Sequence, residues 1–231
     1  MKKWKYIGLF FVLSILILLF ILYPKASAIT NDLQLFGRVI FVDAGHGGRD
    51  SGTTYGKLLE KDINLEISKV LEEELVAKGA IVYMTRDEDE DLSSKWDEKK
   101  KRGDLYRRLL LYKKYHAELY LSIHLNYGSN PRWSGAEVLY HPINPLNEKL
   151  GTILMKNFKN DFKTKRSLKK TDLYMYKNTT IPGVLIECGF LSNANERYLL
   201  QKEDYQRKIA KTITNSVIEF FEQEEFRERN M

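Results

Sequence analysis

Short apolar runs alternate along the chain with longer segments in which apolar residues recur at helical spacing. The short runs, which are typical of strands covered on both faces, occupy residues 39–42, 80–84, 119–125, 136–140, 173–176 and 184–187. The helical stripes lie within residues 63–75, 105–112, 146–162 and 205–220, and Asp62 is predicted to cap the first helix. This alternation predicts an α/β fold with a twisted, mostly parallel sheet of about six strands and helices on both faces.

The N-terminus has a different pattern. Residues 6–23 contain no charged residue and follow three lysines within the first five positions. A helix of about 20 apolar residues spans a bilayer, and flanking lysines stay on the cytoplasmic side. Residues 1–30 are therefore predicted to be a signal or anchor segment that exports the rest, with membrane attachment through residues 6–23. The sequence Ala26-Ser27-Ala28 has the form of a cleavage site, so secretion after cleavage behind Ala28 is the alternative.

Composition and charge fit one exported domain. The chain has 231 residues, 43% of them hydrophobic, which suffices for a single core; we assign residues 37–223 to the domain and 224–231 to a charged tail. The formal charge is +6, but residues 1–30 hold four lysines and no acid, which leaves 33 basic and 31 acidic residues elsewhere. We therefore expect no nucleic-acid partner. The single cysteine, Cys188, excludes an internal disulfide and a Cys-rich zinc site.

Two histidines and two glutamates stand where predicted strands end or helices begin. His46 follows the first strand, His124 lies near the end of the 119–125 strand, Glu187 ends the 184–187 strand, and Glu60 precedes the first helix. Working residues of open α/β sheets gather at the carboxyl ends of strands. Catalytic zinc commonly takes two histidines and one glutamate and keeps a position for water, while a further carboxylate serves as base. These residues favour a metallohydrolase.

His124 and the turn around His46 also have plainer interpretations. His124 shares its strand face with Tyr120 and Ser122, so a buried core histidine is the alternative there. The glycine-rich turn from Gly45 to Gly52 is also typical of phosphate loops. However, Asp50 stands where the dinucleotide pattern needs glycine, and the Gly-Lys-Ser/Thr ending of a P-loop is absent from the sequence.

Four motifs in fixed order resemble those of the zinc-dependent N-acetylmuramoyl-L-alanine amidases, which cut peptide stems from peptidoglycan. They are VIFVDAGHGG from residue 39, LEKDINL from residue 59, LSIHLN from residue 121 and VLIECGFLSN from residue 184. The resemblance covers about residues 37–221 and implies Zn²⁺ as cofactor, with His46, Glu60 and His124 as its ligands and Glu187 as the catalytic glutamate. Ala44 departs from the family pattern, which has proline there, and this change is expected to alter loop stiffness rather than zinc binding.

Residues around these motifs are expected to support the reaction. Asp43, Asn126 and the backbone amides of Gly47 and Gly48 are predicted to orient the ligands or to stabilise the oxyanion of the tetrahedral intermediate.

The single anchor, the lack of wall-binding repeats in the sequence and the segment Trp133-Ser134-Gly135-Ala136 are similar to the germination-specific spore cortex amidases. That subgroup removes stems so that muramic-δ-lactam forms in the cortex; a vegetative wall amidase is the alternative. Many family members need a partner that opens the site, so an activating protein partner is a further hypothesis. No obvious inhibitory insertion is predicted between His124 and Glu187.

Two other functions are also compatible with the sequence. A zinc peptidase would cut within the stem peptide, and a non-catalytic, membrane-tethered module would bind the wall without cleaving it. Residues 156–170 hold seven basic residues and one acid. Such a run is typical of a solvated helix face, and it also suits anionic wall polymer, a membrane surface or a protein partner.

Overall fold

The computed structural model describes residues 11–18, 20 and 32–229, without the side chains of Tyr176 and residues 226–229. Its strands are β1 (Val39–Ala44), β2 (Thr54–Tyr55), β3 (Leu58–Leu59), β4 (Ile81–Met84), β5 (Leu119–Asn126), β6 (Glu137–Tyr140), β7 (Lys169–Lys170) and β8 (Gly183–Phe190). Six of them form one sheet in the order β4-β1-β5-β8-β6-β7, and β2 pairs with β3 in a small hairpin. Only the β6–β8 pairing of the large sheet is antiparallel, so the predicted mostly parallel α/β sheet is confirmed.

Helices cover both faces of this sheet, as the hydrophobic pattern predicts. They are α1 (Glu60–Val76), α2 (Lys100–Lys114), α3 (Pro145–Phe162), α4 (Tyr174–Lys177), α5 (Ala194–Leu199) and α6 (Glu203–Arg229). On one face, α1, α3 and α6 bury the larger apolar core, which includes Ile67, Leu154 and Ile213. On the other, α2 and α4 bury a smaller cluster around Tyr112 and Met175.

The face beneath α2 and α4 changes from apolar to polar along the strands. Because strand side chains alternate between faces, Leu119, Leu121, Ile123 and Leu125 enter the larger core and the intervening residues face the other way. On that second face, apolar residues of three strands are each followed two positions later by a polar one, in the pairs Phe41 and Asp43, Tyr120 and Ser122, and Leu185 and Glu187. The polar chemistry therefore collects at the carboxyl edge of the sheet.

The predicted strand at 173–176 is wrong. Residues 174–177 form the short helix α4, and Met175 is buried against the smaller cluster. A four-residue apolar run is compatible with a strand or with a short helix. Here the segment is a helix that packs against α2. The sixth strand is instead β7, two exposed lysines at the sheet edge beside β6, which no apolar pattern could reveal.

Two predicted element ends also differ. Glu187 does not end its strand, because β8 continues to Phe190. Asp62 does not cap α1, which begins at Glu60 after Leu59 without a side-chain cap. Instead, the amides of Glu60 and Lys61 donate to the carbonyls of Thr53 and Ser51. Backbone carbonyls of the preceding loop therefore accept hydrogen bonds from N–H groups that the first turn of the helix leaves free.

Half of the predicted membrane segment at 6–23, namely residues 6–10, 19 and 21–23, lies outside the described residues. Residues 11–18 and 20 are helical. Within the described part of the chain, no helix combines the length and the apolar character needed to cross a bilayer. At the other end α6 continues to Arg229, so most of the predicted 224–231 tail belongs to that helix.

Candidate metal centre

His46, Glu60 and His124 come together at the carboxyl edge of the sheet. One ligand atom from each lies within 4.8 Å of the others. His46 Nε2 is 3.2 Å and His124 Nδ1 is 3.1 Å from the same carboxylate oxygen, Oε1 of Glu60. The two imidazole rings meet edge to face with their centroids 4.9 Å apart. Three residues that are far apart in sequence thus present two nitrogens and a carboxylate to one point.

Glu60 is the buried member of this group, only 3% exposed. Besides the two histidines, its carboxylate accepts hydrogen bonds from the amides of Leu125 (3.0 Å) and Thr53 (2.8 Å). Burial alone would raise the pKa of Glu60, but the hydrogen bonds and charges of His124 and His46 hold that pKa far below its usual range. Glu60 is therefore ionised and fixed in orientation by backbone.

Two glycines let the backbone approach these side chains closely. A Cβ at Gly45 would overlap the His124 ring, and a Cβ at Gly52 would lie 2.7 Å from both Glu60 Oε2 and His46 Cδ2. Gly52 also has φ +64°, where side chains are disfavoured. The glycines that the sequence shares with phosphate loops are thus used to pack the loop against the three converging side chains.

His46 has the left-handed backbone conformation, with φ +63°, which costs free energy in a residue other than glycine. Two buried arginines hold it there. The His46 carbonyl accepts from Arg108 Nη2 at 2.7 Å and from Arg86 Nε at 2.8 Å. The same guanidinium groups also bind the carbonyls of Ala44 and Gly45. We call Arg86 and Arg108, with the carbonyls of Ala44, Gly45 and His46, the arginine clasp.

Asp50 fixes the His46 ring itself. Its carboxylate Oδ2 is 3.0 Å from His46 Nδ1, which leaves Nε2 directed toward Glu60. Burial opposes protonation of His46, but the hydrogen bonds and charges of Glu60 and Asp50 raise its pKa above the ordinary value. A carboxylate on the far nitrogen is the usual partner of a metal-binding histidine.

Asp43 does not reach the histidines directly. Its carboxylate binds Arg108 Nη1 at 2.6 Å and accepts the Ser122 hydroxyl at 2.6 Å. Although burial opposes ionisation, the charge of Arg108 and the Ser122 hydrogen bond lower the pKa of Asp43. Asp43 therefore supports the site indirectly, by neutralising Arg108 in the clasp.

The backbone amides of Gly47 and Gly48 make hydrogen bonds within the protein. The Gly47 amide donates to the Asp50 carbonyl at 3.0 Å, and the Gly48 amide donates to Asp89 Oδ1 at 2.8 Å. Both amides are engaged in shaping the loop. Asn126 does lie at the site: it lines the same cleft as Glu187, and its Nδ2 is 3.3 Å from Glu137 Oε2.

Glu187 stands between two neighbours that match it in register. It is opposite His124 on β5 and opposite Glu137 on β6. Its Oε2 is buried and has no hydrogen-bond partner among the residues that the structure describes. Burial first, and then the charges of Glu60 and Glu137, raise the pKa of Glu187 to about 8. An unpaired carboxylate with a raised pKa beside a cluster of ligands is typical of a catalytic acid or base.

The site opens to solvent in two directions. A cleft lined by Glu187, His124, Asn126, Tyr127 and Thr53, among others, runs along one side. On the other side, a cavity of about 260 Å³ lies between the two histidines and apolar residues of α2, α4 and β8, including Leu105, Met175 and Leu185. An extended substrate can therefore pass over the cluster.

Sequence reasoning missed Asp50, Arg86, Arg108 and Glu137 as parts of the site. Arg108 had a usable signal, since it lies on the same helix face as Leu105 and Tyr112 and a charge on an apolar stripe needs a buried partner. Asp50 lies four residues after His46, and local sequence gives no sign that the loop folds back to join them. Cys188 is buried, its pKa is raised mainly by burial, and it stays outside the cluster.

Comparison with known proteins gives one consistent family. A family model described as N-acetylmuramoyl-L-alanine amidase, Amidase_3, matches residues 40–219. A germination-specific N-acetylmuramoyl-L-alanine amidase of Bacillus subtilis (strain 168) is 38% identical and aligns over 95% of this chain and 96% of its own length. The amidase LytC of the same organism is 28% identical over 85% of this chain and 38% of its own length.

Solved structures agree with these sequences. The CwlD amidase from Clostridioides difficile, determined in complex with the GerS lipoprotein, has a TM-score of 0.77 and 34% identity, covering 80% of this chain and 99% of that one. The catalytic domain of CwlV, an N-acetylmuramoyl-L-alanine amidase from Bacillus (Paenibacillus) polymyxa var. colistinus, has a TM-score of 0.70 and 28% identity, covering 80% of this chain and 98% of that one.

The arginine clasp predicts a large difference between two adjacent arginines. Arg108→Met leaves the Asp43 carboxylate buried and unpaired, which typically costs about 3–5 kcal/mol of unfolding free energy. Arg107→Met removes only a partly exposed pair with Asp97, and its unfolding midpoint should stay much closer to that of the parent. Urea unfolding of both variants measures this, and equal midpoints for the two would contradict the clasp.

Proposed function

The chain belongs to the Amidase_3 family of N-acetylmuramoyl-L-alanine amidases, and we propose that it works with a zinc ion held by His46, Glu60 and His124 and with Glu187 as its catalytic carboxylate. As a member it is an enzyme that hydrolyses the amide bond between N-acetylmuramic acid and L-alanine in peptidoglycan. The observation that carries the proposal is the convergence of three ligand atoms beside the unpaired, buried Oε2 of Glu187.

The donor set fits zinc. Zinc is borderline-soft and binds imidazole nitrogen and carboxylate oxygen, and in catalytic sites it takes three protein ligands with a fourth position open. The cluster offers two imidazoles and one carboxylate, and no cysteine joins them among the described residues. Asp50 and the backbone amides on Glu60 supply the hydrogen bonds that orient such ligands. When bound, zinc supplies a Lewis acid that polarises the amide carbonyl and lowers the pKa of water toward about 7.

Glu187 carries out the proton transfers. As water attacks the lactyl carbonyl carbon, the Glu187 carboxylate takes a proton from it. When the carbon–nitrogen bond breaks, Glu187 returns that proton to the alanine nitrogen, which would otherwise leave as a poorly stable amide ion. The raised pKa of Glu187 suits both steps, since a group that must accept and then donate works best with a pKa near the working pH.

The similarity of this chain to the germination-specific amidase and to CwlD supports a substrate in the spore cortex. Removal of stems there would prepare muramic acid for muramic-δ-lactam formation. Cell wall amidases act outside the cytoplasm. We propose that residues 6–23 anchor the catalytic domain, residues 37–223, on the outer side of the cytoplasmic membrane. Cleavage after Ala28 would instead release the domain. CwlD was solved with the GerS lipoprotein, which supports a protein partner for this chain too.

Replacement of the proposed base should separate catalysis from metal binding. Glu187→Gln keeps the size of the side chain but cannot accept a proton, so kcat should fall by about 100-fold or more while zinc content stays near one per chain. His124→Ala should lose both zinc and activity. Turnover is measured by amine release and zinc by elemental analysis. A Glu187→Gln enzyme with near-normal turnover contradicts the assignment.

The thermal midpoint of the same variant gives an independent readout. The pKa of Glu187 is raised to about 8 in the folded state. The contribution of its protonated form to the free energy of unfolding is therefore complete below the unfolded pKa and is lost as the pH rises toward and through about 8. The metal-free Glu187→Gln protein at neutral pH should therefore unfold at the same temperature as the parent or higher. A marked fall would indicate a structural role.

The bond that is cut can be identified by end-group analysis. Peptidoglycan digested with the protein and zinc should release new L-alanine amines with the glycan intact, and chelation should stop the release. New amines from other stem residues would move the protein to the stem peptidases. Failure to release any amine, even when a GerS-like partner is added, would favour a wall-binding module.

A further inference from the structure

Trp133 presents an exposed indole that the structure holds in one orientation. The residue is 42% exposed. A Cβ at Gly128 would overlap its six-membered ring, so the backbone packs directly on the indole. The Arg166 guanidinium lies 5.3 Å from the ring centroid, and the Phe190 ring meets it edge to face at 6.4 Å. An exposed aromatic with its orientation fixed is prepared for a ligand at little entropic cost.

The loop that carries Trp133 is tied to the catalytic strand. The Gly128 amide donates to Ser192 Oγ at 3.0 Å, and Asn193 Nδ2 donates to the Pro131 carbonyl at 3.0 Å. Both partners directly follow β8, the strand that contains Glu187. Tyr127, at the start of the loop, is 52% exposed and lines the cleft with Glu187. The loop that carries the indole is therefore anchored beside the strand that contains Glu187.

The charge beside the indole is already matched. Arg166 Nη2 is 2.9 Å from Glu137 Oε1, and Glu137 is buried opposite Glu187. Lys169 binds the same carboxylate at 2.8 Å. The guanidinium over the indole is thus held by an internal carboxylate.

We propose that Trp133 is a saccharide subsite, which stacks on a sugar ring of the glycan strand that carries the scissile amide. This proposal rests on the amidase function. One face of a pyranose ring presents C–H groups while its rim carries hydroxyls, so a flat indole covers the apolar face and leaves the rim to polar neighbours. The free stem peptide, which is flexible and anionic, has no comparable flat apolar face.

The chain supplies its own matched control. Trp96 is also exposed, at 81%, but it lies in the loop before α2 and lines a different surface cleft with Arg102 and Tyr106. Its ring contact in the structure is the Lys95 ammonium at 4.9 Å. Removal of either tryptophan deletes one exposed indole, and only Trp133 is braced against the strand of Glu187.

The test compares full-length parent, Trp133→Ala, Trp133→Phe and Trp96→Ala, each loaded with zinc. Two probes, peptide-free glycan strands and free stem peptide, are titrated as inhibitors of amine release and as ligands in isothermal titration calorimetry. Trp133→Ala should weaken the apparent affinity for glycan by about 3- to 10-fold, as expected for loss of one aromatic stack. Trp133→Phe should recover part of it, and kcat should change less than 2-fold.

Affinity for the stem peptide should stay unchanged in all variants, and Trp96→Ala should match the parent for both probes. The proposal is overturned if Trp133→Ala leaves glycan affinity unchanged, or weakens glycan and stem equally. It is also overturned if Trp96→Ala alone lowers glycan affinity. Failure of the amidase function would show instead as no amine release by the parent, while glycan affinity of the variants would still be measured by calorimetry.

Discussion

The carboxylate of Glu60 organises the centre of this enzyme. It is almost fully buried. One of its oxygens lies within 3.2 Å of a ring nitrogen of each histidine, and the carboxylate accepts hydrogen bonds from the amides of Thr53 and Leu125. A buried carboxylate is costly unless its lone pairs are used, and here the satisfying groups come from β5 and from two parts of the loop between β1 and α1, at His46 and at Thr53. The position of Glu60 therefore couples the packing of three segments to the spacing of the two imidazoles.

The loop between β1 and α1 has to meet a second demand, because His46 is in the left-handed backbone region. Arg86 and Arg108 meet it by donating to consecutive carbonyls, and Asp43 balances the buried charge of Arg108. The guanidinium groups of the arginine clasp are fully paired, whereas Glu187 Oε2 has no hydrogen-bond partner in the described part of the chain and its surroundings disfavour ionisation. Such a group lowers stability, and the proton transfer proposed for Glu187 gives a reason to retain it.

The sequence predicted the sheet well where strands are buried on both faces, as in 39–42 and 119–125, because continuous apolar runs have few other uses. It failed at 173–176 and 169–170, where the structure depends on what packs alongside. The converging residues were found because they lie near strand ends and within family motifs. Arg108 and Asp50 were missed, because their partners are set by tertiary contacts and by loop geometry that no local pattern encodes.

X-ray absorption at the zinc edge tests the central assignment most directly. With one zinc per chain, the account predicts scattering from two imidazole rings and from nitrogen and oxygen donors at about 2.0–2.2 Å. Replacement of His46 by alanine should remove one imidazole from that pattern. A sulfur shell at about 2.3 Å, or a spectrum that the His46 change leaves untouched, would contradict the account and place the metal elsewhere.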